Sequence, residues 1–427
     1  MLQESFLQFV WKHQYFNTQD LHTSHGEPLQ VLTPGIHNHF EGPDFKEASL
    51  KIDNIRWTGH VEVHINASDW FRHKHQDDLN YNNVVLHVVW EKDKEVLLAD
   101  GSILPTLELK GLVKPEMLRR YQGMITTDSS IPCGRSLKEV KAITRLGMLE
   151  RVLVSRMEEK SATFLELLND NEQDWEEAAY QWLAKGFGFK TNADTMLELA
   201  RSLPLKVLQK HRNQPEQVEA LLFGQSGMLD VDVQDEYAKG LKKEYDFLRA
   251  KYGLSQQVRY NDWHFTKVRP SNYPSIRLAQ LAAFIVRFPH VFRFFAEVEQ
   301  INDIMDNLEV HQSHYWTSHY MIDKQSKRMI GNMSKAAREN LIINTTIPFL
   351  SALATRRDQP MYRERALNLL AAIPAEKNHI TDLWRKYGYN VSSAFDSQGL
   401  IQLYNGFCKS KRCVECNIGV ELIRSPD

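Results

Sequence analysis

Residues 42–75, GPDFKEASLKIDNIRWTGHVEVHINASDWFRHKH, decide the reading of this chain. Within them, 46–52 (KEASLKI) and 57–65 (WTGHVEVHI) alternate polar and apolar side chains, the period of a half-buried strand. Asp53-Asn54 between them is two-residue turn chemistry, so the stretch predicts an antiparallel hairpin. Along the second strand Val61, Val63 and Ile65 point one way and His60, Glu62 and His64 the other, because successive side chains alternate. One face is expected to be core and the other polar. A loop at 53 and 54 sets Asp44 opposite Val63, with Glu62 and His64 diagonal to it, which is wrong in parity by one residue. A single bulge, with Gly59 as the candidate, brings Asp44 onto the face of Glu62 and His64.

Two carboxylates and an imidazole at one hairpin form the grouping that holds a hard divalent cation against a phosphate. Pro43-Asp44 and Glu62-Val63-His64 resemble the PD-(D/E)XK nuclease core, in which a Pro-Asp at a strand start and a carboxylate-x-Lys on the next strand hold magnesium. The resemblance implies Asp44 and Glu62 as ligands of Mg2+ or Mn2+, and Glu4, in the amphipathic opening MLQESFLQFVWKHQYF, as the acid of the preceding helix. His64 stands where that family has lysine. Imidazole supplies no fixed charge near neutral pH and instead accepts a proton, so His64 is expected to orient or deprotonate the attacking water. The expected function is a metal-dependent nuclease or phosphodiesterase acting on nucleic acid. The alternative is a noncatalytic nucleic-acid-binding or scaffold protein that keeps the fold without turnover, which the His64 departure suits. More broadly, residues 42–75, 81–91, 218–229, 269–282 and 408–419 are similar to a bacterial family known only as a domain of unknown function, over nearly the full length.

Histidine is concentrated toward one end. Ten of the 17, at positions 13, 22, 25, 37, 39, 60, 64, 73, 75 and 87, fall in the first hundred residues, as a site would require. His73-Lys-His75-Gln-Asp77-Asp78 superficially resembles the HxHxD run of binuclear zinc hydrolases, but Ser68-Asp69-Trp70 precedes it where a glycine-rich strand end belongs. His73 and His75, with Tyr81 beyond them, are therefore assigned to a substrate-contacting edge or a solvated loop rather than to a primary metal site. Blander readings stand beside these: Asp44 as a turn acid after Pro43, Glu62 as a solvent-facing strand residue, His64 as a hydrogen-bonded spacer, and His87 in the apolar run VVLHVVW as a core histidine.

The four cysteines are Cys133, Cys408, Cys413 and Cys416, three of them in a C-x4-C-x2-C cluster. Four thiolates match one tetrahedral Zn2+ or one 4Fe–4S cluster, and in a reducing compartment that count favours metal over disulfide. The ligation would tie the C-terminal segment back to Cys133. Some RecB-type nucleases staple the same core with one distant and three clustered cysteines, a point the resemblance adds.

The chain of 427 residues is 42% hydrophobic and 25% charged with net charge −2, an ordinary globular composition that gives no support to tight, nonspecific nucleic-acid binding. No run approaches a membrane helix and the opening lacks a secretory pattern, so a cytoplasmic protein without membrane contact is expected. The predicted class is α+β. A small mixed-sheet, nuclease-like domain spans 1–132, an α-helical domain spans 133–395, and a cysteine segment, 396–427, packs back on Cys133. Strands are expected at 29–32, 46–52, 60–65, 84–90 and 103–109. Ser136-Leu-Lys-Glu139 reads as a capping box opening a long helix, and helical stripes follow at 178–183, 218–222, 237–248 and 278–288. The basic run 324–338 reads as the wet face of a helix.

Overall fold

Asp53 takes a left-handed φ of 52° and Ile52 pairs with Ile55, so the hairpin closes on the expected two-residue turn. The computed structural model describes residues 2–425 apart from Val233, Lys267 and Val268. The fold is α+β, 55% helical, with a curled mixed sheet followed by a helical region. The strands are β1 (Leu29–Thr33), β2 (Ile36–His37), β3 (Phe45–Ile52), β4 (Ile55–Asn66), β5 (Val84–Glu91) and β6 (Thr106–Glu108). Their order is β1-β3-β4-β5-β6, with β2 beside β3. The pairs β1–β3, β2–β3 and β3–β4 are antiparallel, whereas β4–β5 and β5–β6 are parallel. A parallel pair needs a crossover of a dozen or more residues, and the one between β4 and β5 carries the short helix α2 (Asp69–Arg72) and two 3-10 turns.

The bulge that corrects the parity lies in β3, not at Gly59. Ala48 pairs with Gly59 but Phe45 pairs with Val61, so Lys46 and Glu47 face a single residue of β4. Glu47 supplies the left-handed turn itself, at φ 58°. Gly59 is needed for a different reason: a Cβ there would come within 2.6 Å of the Asn83 carbonyl oxygen and 2.5 Å of Val85 Cγ1, where β5 begins. A second slip, between His60↔Val84 and Val61↔Leu86, leaves Val85 extra and sets Glu62 beside His87 and His64 beside Val89.

Among the described residues two compact units are distinguished. The first comprises Met1–Glu150, Asp382–Tyr389 and Ile401–Asp427, and the second Arg151–Thr381 and Asn390–Leu400. The cysteine segment thus belongs to the same unit as the sheet. In that unit helix α1 (Glu4–Lys12) buries Phe6, Leu7, Phe9, Val10 and Trp11, the stripe its apolar spacing prescribes. Phe6 stacks on Tyr121 of α3 (Pro115–Thr126), with ring centroids 4.4 Å apart. The Trp11 indole donates to the Pro34 carbonyl at 3.0 Å, meeting the polar need of a buried ring.

The capping-box expectation is corrected. Ser136 and Glu139 fall in a 3-10 stretch, Gly134–Glu139, and the long helix α4 (Ala142–Asp170) begins beyond it. The second unit is helical and carries the largest core, where Phe164, Trp182 and Phe349 meet edge to face. All four expected stripes lie on helices there. The basic run 324–338 is not one helical face: Lys324–Gln325 is the second strand of a small hairpin with His319–Met321, and helix resumes only at Lys335. No described helix is long and apolar enough to cross a membrane.

Candidate metal centre

The bulge at Glu47 puts Asp44 across from Glu62. The Asp44 backbone N–H donates to Glu62 Oε2 at 3.0 Å, the Val63 N–H donates to Asp44 Oδ2 at 3.1 Å, and Gln8 Nε2 of α1 donates to Asp44 Oδ1 at 2.9 Å. The two acids expected to meet do meet. The polar face of β4 is not exposed, however. Glu62 is 5% exposed and His64 1%, because α2 and the turns after it fold over them, with Trp70 and Tyr81 packed against Val84 and Val89. The solvent-facing reading of Glu62 is therefore corrected.

The covering segment brings the remaining ligating groups. Asp69, buried near the start of α2, accepts from the Asn66 N–H at 3.1 Å and pairs with Arg72 at 3.1 Å, which fixes how the segment leaves β4. His73 caps α2, and Lys74 takes φ 61°, reversing the chain so that His73 and His75 face back onto the sheet. One ligand atom each from His64, His73 and His75 lies within 4.8 Å of the others. Two imidazole nitrogens of this trio approach Glu62 Oε1, His75 Nε2 to 3.3 Å and His64 Nε2 to 3.5 Å. His75 Nε2 is shielded from solvent yet has no aligned hydrogen bond. Tyr81 lies flat on the His75 ring, centroids 3.8 Å apart, and Trp70 meets the same ring edge-on at 5.3 Å.

His64 also makes two N···N contacts, Nδ1 to His87 Nε2 at 2.8 Å and Nε2 to His73 Nδ1 at 3.1 Å. Each such contact joins one N–H to one lone pair. A proton on His64 Nδ1 directed at His87 leaves the Nε2 lone pair facing Glu62 and His73. His87 is fully buried, as a core histidine should be, and its Nε2 stands where it would hold that tautomer by accepting from His64 Nδ1.

Burial dominates the electrostatics. It pushes the Asp44 carboxyl up to about 7, assisted by Glu62, and the Glu62 carboxyl up to about 8. It pulls His64 down to about 2, helped by His87, and His87 down to about 3. Glu4, half-buried on α1, is raised by burial, while neighbouring His73 lowers it and Asp69 raises it. It stands at the rim of the same cluster. Without a cation, burial thus disfavours the charged forms of Asp44, Glu62, His64, His75 and His87, the opposite for the carboxylates of what a bound divalent ion would do.

The structure gathers Asp44, Glu62, His64, Glu4, His73, His75 and Tyr81 into one place. His73 and His75 come in as partners of His64, where an outer edge was expected. The legible signal was the His-x-His pair itself. Asp77 does not join them; it is exposed and accepts from Gln76 Nε2 at 2.9 Å. All four cysteines are buried in the same unit and none is in a disulfide. Their thiols are neighbours. Burial pushes Cys133 up to about 12, with further contributions from Cys416 and Cys413, and Cys408 is raised by burial and then by the other three. Lys411, at φ 55° between the clustered cysteines, donates to the Ile125 and Thr127 carbonyls at 2.7 and 2.8 Å and so ties this loop to the end of α3.

A family described as "Protein of unknown function (DUF2851)" matches residues 4–379, most of the chain. The chain belongs to this family. Its match takes in every residue of the His and carboxylate cluster and Cys133, and ends before Cys408. No curated protein and no solved structure matches the chain.

Proposed function

We propose that this DUF2851 protein is a divalent-metal-dependent phosphodiesterase acting on nucleic acid, its ion held by His64, His73, His75 and Glu62. One observation carries the reading: His64, His73 and His75 each bring a ligating nitrogen within 4.8 Å of the others, and His75 Nε2 and His64 Nε2 stand 3.3 and 3.5 Å from the same Glu62 oxygen. The shielded His75 Nε2 stands beside Glu62 without an aligned hydrogen bond, a cost that coordination of an ion would remove. Nitrogen-rich donors suit Mn2+ or Zn2+ better than Mg2+, so of the two ions the carboxylates alone imply, Mn2+ is favoured. His64 is then a ligand rather than the base. A bound ion would lower the pKa of water and neutralise a scissile phosphate. Asp44, steadied by Gln8 and Val63, supplies the second carboxylate, and Glu4 at the rim is placed to take a proton. Arg72, 66% exposed, offers a guanidinium for a phosphate. The Pro-Asp and Glu-x-His spacing of a PD-(D/E)XK-like hairpin supports phosphodiester chemistry. The four thiols form a structural clasp around Zn2+ or a 4Fe–4S cluster in the same unit.

The test is Mn2+-dependent cleavage of single- and double-stranded oligonucleotides by the full chain, abolished by chelator, by Glu62→Gln and by His73→Ala, and retained by Asp77→Asn. Absence of cleavage with Mn2+, Zn2+ or Mg2+ on all substrates would reject catalysis. The second reading, a noncatalytic nucleic-acid-binding or scaffold protein, is favoured by the Asp44 carboxyl, already satisfied by Gln8 and the Val63 amide. It predicts metal uptake and oligonucleotide binding without turnover.

A further inference from the structure

The helical unit holds a cavity of about 410 Å3, within the range of small-ligand sites. Four cations line it: Arg156 and Lys160, one turn apart on α4, Lys185 on helix α5 (Trp175–Phe187), and Lys190 just beyond. None of the described residues lining it is acidic. The nearest acids are spoken for or peripheral. Glu376 accepts from Gln398, which in turn accepts from Arg156 Nε at 2.7 Å, Glu159 acts on Arg156, and Asp194 lies 3.8 Å from Lys185 but is almost wholly exposed. Lys160 is the informative one. Its ammonium donates to the neutral Asn344 Oδ1 at 2.7 Å, and burial and then Arg156 pull it down to about 8 against the opposing pull of Glu376.

The backbone around the cavity is specialised too. Asn344 sits in a one-turn π-helix, Ile342–Thr346, a feature that inserts a residue and recurs at functional sites. Its side chain donates back to the Asn340 carbonyl at 2.8 Å, presenting Oδ1 to Lys160. Gly186 lets α5 close on this turn, since a Cβ there would stand 2.2 Å from Thr345 Cγ2. Trp182, whose indole donates to the Thr345 carbonyl at 3.0 Å, is fixed on the same side and lends an apolar wall.

We infer that this cavity binds the phosphoryl group of a nucleotide-sized ligand, with Arg156, Lys160, Lys185 and Lys190 neutralising the anion and Trp182 flanking its organic part. The lining itself is positive and holds no acid, Glu376, Glu159 and Asp194 acting on it from outside, and a phosphoryl dianion offers several acceptors to such donors. The site is separate from the His cluster and does not depend on the proposed hydrolysis.

The experiment is calorimetric titration of the full chain, without added divalent metal, with pyrophosphate, a nucleoside 5′-monophosphate, the unphosphorylated nucleoside, and an oligonucleotide with and without a 5′-phosphate. The phosphorylated probes should bind, the nucleoside at least about tenfold more weakly, and Lys160→Met and Lys190→Glu should each weaken binding by about tenfold or more. Lys190 is exposed, so its variant tests the site without risk to the core. Preference for the 5′-phosphorylated oligonucleotide over the nucleotide would assign the phosphate to nucleic acid, and the reverse to a free nucleotide; either supports the site. Binding weaker than about 1 mM for every phosphorylated probe, or unchanged in both variants, would overturn it.

Discussion

Glu62 and Asp44 retain protons in the folded metal-free chain that they release when unfolded, since burial lifts them to about 8 and about 7. The sign follows directly. Where the folded state binds more protons than the unfolded, stability falls as pH rises, by up to roughly 1.4 kcal/mol per pH unit for each group. His64 and His87, lowered to about 2 and about 3, act oppositely, because the unfolded chain gains their protons below an ordinary imidazole pKa near 6.5. Between about pH 4.5 and 6.5 the two effects offset, and above about 6.5 only the carboxyls remain. Chelated protein should therefore melt at progressively lower temperature from pH 6.5 to 8. Mn2+, by holding the carboxylates ionised, should flatten that decline, and Glu62→Gln should remove about two thirds of it, because Asp44 has already given up about half of its proton at pH 7. A level profile in chelator would show that Glu62 and Asp44 are not proton-bound in the cluster. At Gly59 the expectation is steric: Gly59→Ala places a methyl against the Asn83 carbonyl and should cost about 1–3 kcal/mol in denaturant unfolding.

Among the elements, the β3 bulge governs whether the acids share a face. Glu47→Gly should be tolerated or stabilise by up to about 1 kcal/mol, because glycine takes φ 58° freely, whereas Glu47→Val should cost about 1–3 kcal/mol. Deleting Glu47 should do something different. It straightens the ladder, turns Asp44 to the opposite side and weakens Mn2+ binding, read by competition with a metallochromic dye; unchanged affinity would remove Asp44 from the site. The same feature explains what could be read in advance. Alternation in 46–52 and 57–65 was enough for the hairpin, its turn and the need for a bulge, and the cysteine and histidine counts pointed to two clusters. The bulge's position was not legible, since a glutamate took the conformation for which glycine is the usual marker. Nor was the arrival of His73 and His75, which depends on Asp69 anchoring α2 and on the left-handed Lys74 behind it, contacts that no periodicity encodes.

For the molecule as a whole, the sheet unit is completed by residues 401–427. The C-terminal helix, Asn417–Arg424, buries Ile418, Leu422 and Ile423, Arg424 lies over the Tyr15 ring at 4.5 Å, and Glu421 accepts from the Lys141 N–H at 2.8 Å. Truncation after residue 400 should cost several kcal/mol, at roughly 1.5–3 kcal/mol per large apolar side chain exposed, and abolish the unfolding transition assigned to this unit. Cys408→Ser in the intact chain should lower bound Zn or Fe and the melting temperature together, while His73→Ala should leave that metal in place. Four thiols that react fully with a thiol reagent in the native, untreated protein would eliminate the clasp.

A unit stitched from stretches far apart in the sequence imposes a schedule on its synthesis. The strands emerge from the ribosome first and their last helix roughly 310 residues later, on the order of tens of seconds at ordinary elongation rates. Through that interval the nascent sheet must wait with part of its apolar surface uncovered, and Cys133 waits without the three clustered cysteines. Completion of the sheet unit therefore waits on residues 401–427, and until they are made its uncovered apolar surface is open to chaperone capture.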